Sequence, residues 1–128
     1  MKEVEDMSQE SLDERREAIG LAERLLKDVK PQAEGGREDR GKLTMTRLRR
    51  MLELVKADLY EEFKLKLLYL VARNTTRNEK ELEDFAKAFI RELENKRERD
   101  KDRLSLAKLT LEYAVMAYAA KQLEEGVG

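Results

Sequence analysis

The chain contains no cysteine, no histidine and no tryptophan, and only one proline. Without cysteine there is no disulfide, no zinc–thiolate site and no thiol nucleophile. Without histidine the chain lacks the commonest general base and the commonest transition-metal ligand. No apolar run approaches the roughly 18 residues that a membrane span requires. The opening "MKEVEDMSQES" is acidic and polar, unlike a secretory leader. These absences set the expectation of a cytoplasmic protein with no membrane partner, no cofactor and no metal site.

The length, 128 residues, suits one domain. Hydrophobic residues make up 41%, enough for a core, yet charged residues reach 43%, a surface style shared with heat-adapted proteins. The net charge of −1 points to no single class of partner, but the charge is unevenly spread. Acidic residues dominate as far as Val29. Arg37, Arg40, Lys42, Arg47, Arg49 and Arg50 then face only Glu38 and Asp39, and Lys64, Lys66, Arg73, Arg77 and Lys80 face Glu79 alone. Two basic patches therefore sit in a nearly neutral chain.

Few glycines and few β-branched residues, with apolar residues at helical spacing, predict an all-α fold: a single-domain bundle of about five helices. An acidic tail is expected over 1–10 and the bundle over 11–128, with a flexible loop over 30–43. The first helix is expected from Ser11 to Val29, with Leu12, Ile19, Ala22 and Leu26 inward and Ser8 or Ser11 as cap; Pro31 stops it. Leu48, Leu52, Val55 and Leu59 form the stripe of the second helix, and Phe63, Leu67 and Leu70 extend the pattern, leaving open whether the helix breaks near Asp58. In the fourth helix Leu82, Phe85, Phe89 and Leu93 point inward, with Asn78 and Glu81 resembling a capping box. "ENKRERDKDR" is either a turn or a solvated extension. The last helix, from about Asp102 to Glu124, carries two apolar stripes. Leu104, Ala107, Leu111, Ala114, Tyr118 and Leu123 make one; Leu106, Leu109, Tyr113 and Met116 make the other. Such a helix is either central or covered by a partner. Tyr69, Tyr113 and Tyr118, at helical intervals, are expected in the core.

The second helix opens oddly. In "GKLTMTRLRRMLELV", Thr44 or Thr46 is the N-cap, yet Arg47, Arg49 and Arg50 occupy the first turns, where the helix dipole disfavours cations by a few tenths to about 1 kcal/mol each. With Thr46 as cap and 100° per residue, Arg50 points nearly opposite the apolar stripe, and Arg47 and Arg49 flank it. Arginines there are a solvated face or, with the free N–H groups, an anion site suited to phosphate or to an acidic partner.

"LTMTRLRRMLELV" resembles the opening of the second helix in the small helical subunit of type III-A CRISPR (Csm) interference complexes. "AIGLAERLLKDV", "LLYLVARN" and "LTLEYAVMAYAAK" are similar to that family's other helices, so the resemblance runs from about Ser11 to Gln122. It implies a non-catalytic subunit, present in several copies beside a guide RNA and a single-stranded target RNA, with other effector subunits and neighbouring copies of itself as partners. It also implies backbone contacts from Arg47 and Arg50, with Arg49 between them, and from Arg73 and Lys121. Lys42 and Arg77 join this set from their place in the basic patches alone. A subunit that accepts any guide sequence should touch phosphate and sugar, not base edges, and needs no aromatic platform.

Other classes are open at this point. The small subunit of the type III-B (Cmr) complex is a near alternative. A helical scaffold without RNA contact would use the two-faced last helix. A carboxylate–magnesium enzyme would draw on Glu14 with Glu17 and on Glu81 with Asp84, pairs that arise readily in so acidic a chain.

Overall fold

The computed structural model describes the backbone of residues 2–32 and 40–126 and the side chains of 12–32 and 40–126. Among these residues the chain forms five α-helices: α1 (Lys2–Leu26), α2 (Met45–Leu54), α3 (Tyr60–Asn74), α4 (Glu81–Lys96) and α5 (Asp100–Glu124). The expected all-α bundle is the observed one. Gly35, Gly36 and Arg37 of the expected loop, and the side chains of Ser8 and Ser11, lie outside the described residues. The backbone of α1 is helical from Lys2, so the segment expected as an acidic tail belongs to the first helix.

Helix α5 packs against all four others, which is why it carries apolar residues on more than one face. Its buried residues include Ala107, Thr110 and Ala114, whose small side chains let neighbouring helices approach. Leu106 and Leu111 fill the space around them with Phe63, Leu67, Phe89 and Leu93. Phe63 meets Phe89 edge to face, ring centroids 6.4 Å apart. Each such large apolar side chain contributes about 1.5–3 kcal/mol on burial.

The second apolar segment does break. The end of α2 tightens into bonds from Lys56 N–H to Glu53 C=O and from Ala57 N–H to Leu54 C=O, each 3.2 Å. Leu59 then takes an extended conformation as N-cap of α3, and its side chain is 63% exposed, contrary to the inward position expected of it. The hydrophobic pattern ran on across the break, but the helix axis did not.

Leu12 and Ile19 of α1, expected inward, are exposed, while Ala22 and Leu26 are buried as expected. Two further expectations are corrected. Tyr69 is 65% exposed, not in the core. The inward stripe of α3 is Tyr60, Phe63, Leu67 and Val71, and two residues at 100° each put Tyr69 about 200° from Leu67. Leu123 is 84% exposed in the last turn of α5. Tyr118 is buried as expected, and Tyr113 is half-buried.

The linkers are pinned by polar contacts. The three residues Arg97–Arg99 resolve the charged "ENKRERDKDR" run into a tight turn. Arg97 pairs there with Glu17 of α1. Asn78 does not cap α4; instead Leu82 N–H donates to the Gly41 carbonyl at 2.9 Å, and the Glu81 carboxylate accepts from Leu43 N–H at 2.9 Å. Gly41 has φ of +81°, and a Cβ there would stand 2.5 Å from the Glu79 carbonyl oxygen, so only glycine fits. Between α3 and α4, the Glu94 carboxylate accepts from the Tyr60 hydroxyl at 2.8 Å and from Lys64 at 2.9 Å. The Lys64 and then the Tyr60 hydrogen bond hold the Glu94 carboxyl below its ordinary range. Burial, reinforced by Glu94, pushes the Tyr60 phenol up.

Candidate functional site

The cap of α2 is Thr44, whose hydroxyl accepts from Arg47 N–H at 3.2 Å. The helix therefore starts at Met45, two residues before where a Thr46 cap would put it, and Arg47 sits in the first turn. Its guanidinium does not fan outward. It donates to the Lys42 carbonyl at 2.7 Å and to the Asn74 side-chain oxygen at 3.2 Å. Asn74 ends α3, and its amide in turn donates to the Leu70 carbonyl at 2.7 Å. Because α2 and α3 pair antiparallel, the start of α2 lies beside the negative end of α3. Arg47 stands at the wrong end of its own helix and the right end of its neighbour.

Lys121 is likewise turned inward. Its ammonium donates to the carbonyls of Leu26 at 2.5 Å and Val29 at 2.8 Å, at the end of α1, and more distantly to Lys27. One turn earlier, the Tyr118 hydroxyl accepts from Gln32 N–H at 2.8 Å and donates to the Leu43 carbonyl at 3.1 Å. These α5 side chains clamp the chain after α1 and before α2.

The remaining expected residues stay at the surface. Arg49, Arg50, Arg73 and Arg77 are exposed and Lys42 is half-buried. Arg50 makes an exposed pair with Glu53 at 3.1 Å. Arg49, Arg73, Arg77 and the Lys42 ammonium have no carboxylate partner among the described residues. The Gly41 and Leu43 bonds to the start of α4 bring Lys42 to the bundle end that also carries the Arg77 loop and the last turn of α3. Arg49 lies apart, beside the groove between α2 and α5.

Arg50 and Arg73 meet across a groove of about 290 Å³ between α2 and α3. Lys66 and the exposed Tyr69 also line it, over an apolar floor of Leu54 and Leu70. The Arg73 guanidinium lies over the Tyr69 ring, 5.6 Å from its centroid. Lys66 pairs with Glu62 at 2.8 Å, both half-exposed. Such exposed pairs are worth about 0–1 kcal/mol and yield readily to a phosphate. Lys66 and Tyr69 were missed as site residues. A signal for them exists in α3, whose exposed Leu65 and Tyr69 stand four apart on the outer face.

The carboxylate pairs considered for magnesium do not converge. Glu17 is paired with Arg97, and Glu81 holds Leu43 N–H. Among the described residues no group of three or more Asp, Glu, His or Cys side chains is placed to hold a metal ion. No helix among them is long and apolar enough to cross a membrane.

The fold and groove define an all-α bundle with a cationic cleft on one flank. Comparisons with family models, curated proteins and solved structures yield no match to this chain.

Proposed function

We propose that this chain is a non-catalytic, RNA-contacting small subunit of a multi-subunit assembly, of the kind found in type III-A CRISPR effector complexes. The observation that carries the reading is the α2–α3 groove, where Arg50, Lys66 and Arg73 converge on one surface. Three cations of this kind suit the regularly spaced phosphates of a nucleic-acid strand, and none of them sits in a geometry selective for one base. Lys42 and Arg77, at the adjoining end of the bundle, extend the basic surface. Arg47 and Lys121 are engaged with oxygens of the fold itself, at the end of α3 and after α1, and are left out of the contact set. The resemblance of "LTMTRLRRMLELV" and the later helices to the type III-A small subunit supplies the assembly; a type III-B small subunit would use the same groove.

In the proposed assembly, exposed Leu59, Leu65, Met116 and Leu123 are apolar side chains available to other subunits or neighbouring copies. Few phosphate contacts per copy make binding by the isolated chain weak, and assembly supplies avidity.

The test is fluorescence anisotropy with unrelated single-stranded RNAs over a salt series. Binding is expected to be weak and indifferent to sequence, with log affinity falling by about 0.7 per phosphate contact in log salt. The double substitution Arg50→Glu and Arg73→Glu should remove it with helical content unchanged. Equal binding by that variant, or no binding by the native chain at low salt, refutes the proposal.

A further inference from the structure

We infer that Tyr69 is a stacking platform for a base of single-stranded nucleic acid, so that the α2–α3 groove engages base faces as well as phosphates. The inference rests on the nucleic-acid reading above and adds to it a ligand geometry that a backbone-only contact does not have. Three observations carry it. Tyr69 is 65% exposed although it lies on the longest apolar run of α3. Its ring lines the same groove as Arg50, Lys66 and Arg73. The flat guanidinium of Arg73 already lies over the ring, 5.6 Å from the centroid, which shows that a planar group is accommodated on that face.

A nucleobase is the other planar group that stacks on an aromatic face, and it does so whatever its identity, because every base has a π-face. Arg73 lies one helical turn from Tyr69. Displaced from the ring by a base, its guanidinium remains in reach of the adjoining phosphate, with Lys66 and Arg50 on the other sides of the groove. Leu54 and Leu70 beneath provide apolar contact for the ribose. A duplex keeps its base faces stacked inside and presents only its backbone and the base edges in its grooves, so the groove selects single strands.

The full chain is tested with three probes: a mixed-sequence single-stranded oligoribonucleotide, an abasic strand of the same length, and a blunt duplex. The native chain should bind the base-bearing strand more tightly than either of the others. Tyr69→Ala should weaken the base-bearing strand by about 5- to 150-fold, the usual loss of one stacked base, and leave the abasic strand unchanged. Tyr69→Phe should retain binding. Tyr69→Trp introduces the sole tryptophan of the chain, and its fluorescence should be quenched by the base-bearing strand and not by the abasic one. If base-bearing and abasic strands bind alike and Tyr69→Ala changes neither, the stacking role is wrong while the phosphate-binding reading stands. If no probe binds, both fall together.

Discussion

Arg47, in the first turn of α2, donates a 3.2 Å hydrogen bond to the side chain of Asn74, the last residue of α3. With its 2.7 Å bond to the Lys42 carbonyl, this makes Arg47 a tie between the loop before α2, α2 itself and the end of α3. A forked guanidinium is suited to hold two oxygens at once, which a lysine ammonium does less well. Arg47→Met is expected to lower unfolding free energy by about 1–3 kcal/mol, and Arg47→Lys to recover only part of it. Arg49→Ala and Arg50→Ala, at exposed positions, should each stay within about 0.5 kcal/mol of the native chain. Urea unfolding of the four variants separates these cases.

Gly41 occupies a left-handed conformation against the Glu79 carbonyl. Gly41→Ala should cost more than about 1 kcal/mol, because the strain of φ at +81° adds to a backbone clash that no side-chain movement relieves. A thermal melt matching that of the native chain would show that the loop has another way to reach α4.

Tyr118 and Lys121 hold the chain between α1 and α2. Tyr118→Phe strands Gln32 N–H and the Leu43 carbonyl and should cost about 1–3 kcal/mol. Lys121→Met should lower stability comparably while leaving RNA affinity of the folded protein unchanged. The opposite outcome, native stability with weakened RNA binding, would make Lys121 a ligand contact.

The Glu94 carboxyl is held below its ordinary value of 4.5 by the Lys64 and Tyr60 hydrogen bonds. A depressed folded-state pKa means that the unfolded chain binds more protons in this window. The stabilisation is therefore fully present above about pH 4.5 and is lost as pH falls through the folded value. Glu94→Gln should be less stable at neutral pH, and the gap to the native chain should close on acidification. Tyr60 works in the other direction: its raised pKa contributes stability that is present below about pH 10 and lost as pH rises through the folded value. Denaturation midpoints measured from pH 3 to pH 11 read the acid limb and the onset of the alkaline one.

Thr110 is fully buried in α5 and its hydroxyl has no hydrogen-bond partner among the described residues. Thr110→Val keeps the shape and removes the unsatisfied oxygen, so stability should rise by about 1 kcal/mol. A loss on calorimetry would mean that the hydroxyl is satisfied in solution.

The sequence by itself determined that this is an all-α chain of about five helices, because apolar spacing near 3.6 residues and a scarcity of proline and glycine leave no other regular structure. It placed Leu48, Phe63, Leu67, Phe89, Leu93, Leu111 and Tyr118 inward, since each lies at the centre of a periodic stripe. It also exposed the anomaly of arginines at the start of α2. Only the tertiary structure decided what each arginine does. Periodicity gives the angle of a side chain around its own helix and says nothing of which neighbouring helix end lies beside it. Arg47 and Lys121 read as free cations until α3 and α1 are seen to present their terminal carbonyls or amide oxygens to them. Tyr69 read as core because it stands at helical spacing within an apolar run, and only packing selects which side of such a run is covered. The groove joining Arg50, Lys66, Tyr69 and Arg73 is a product of antiparallel pairing between two helices, a relation that no local spacing encodes.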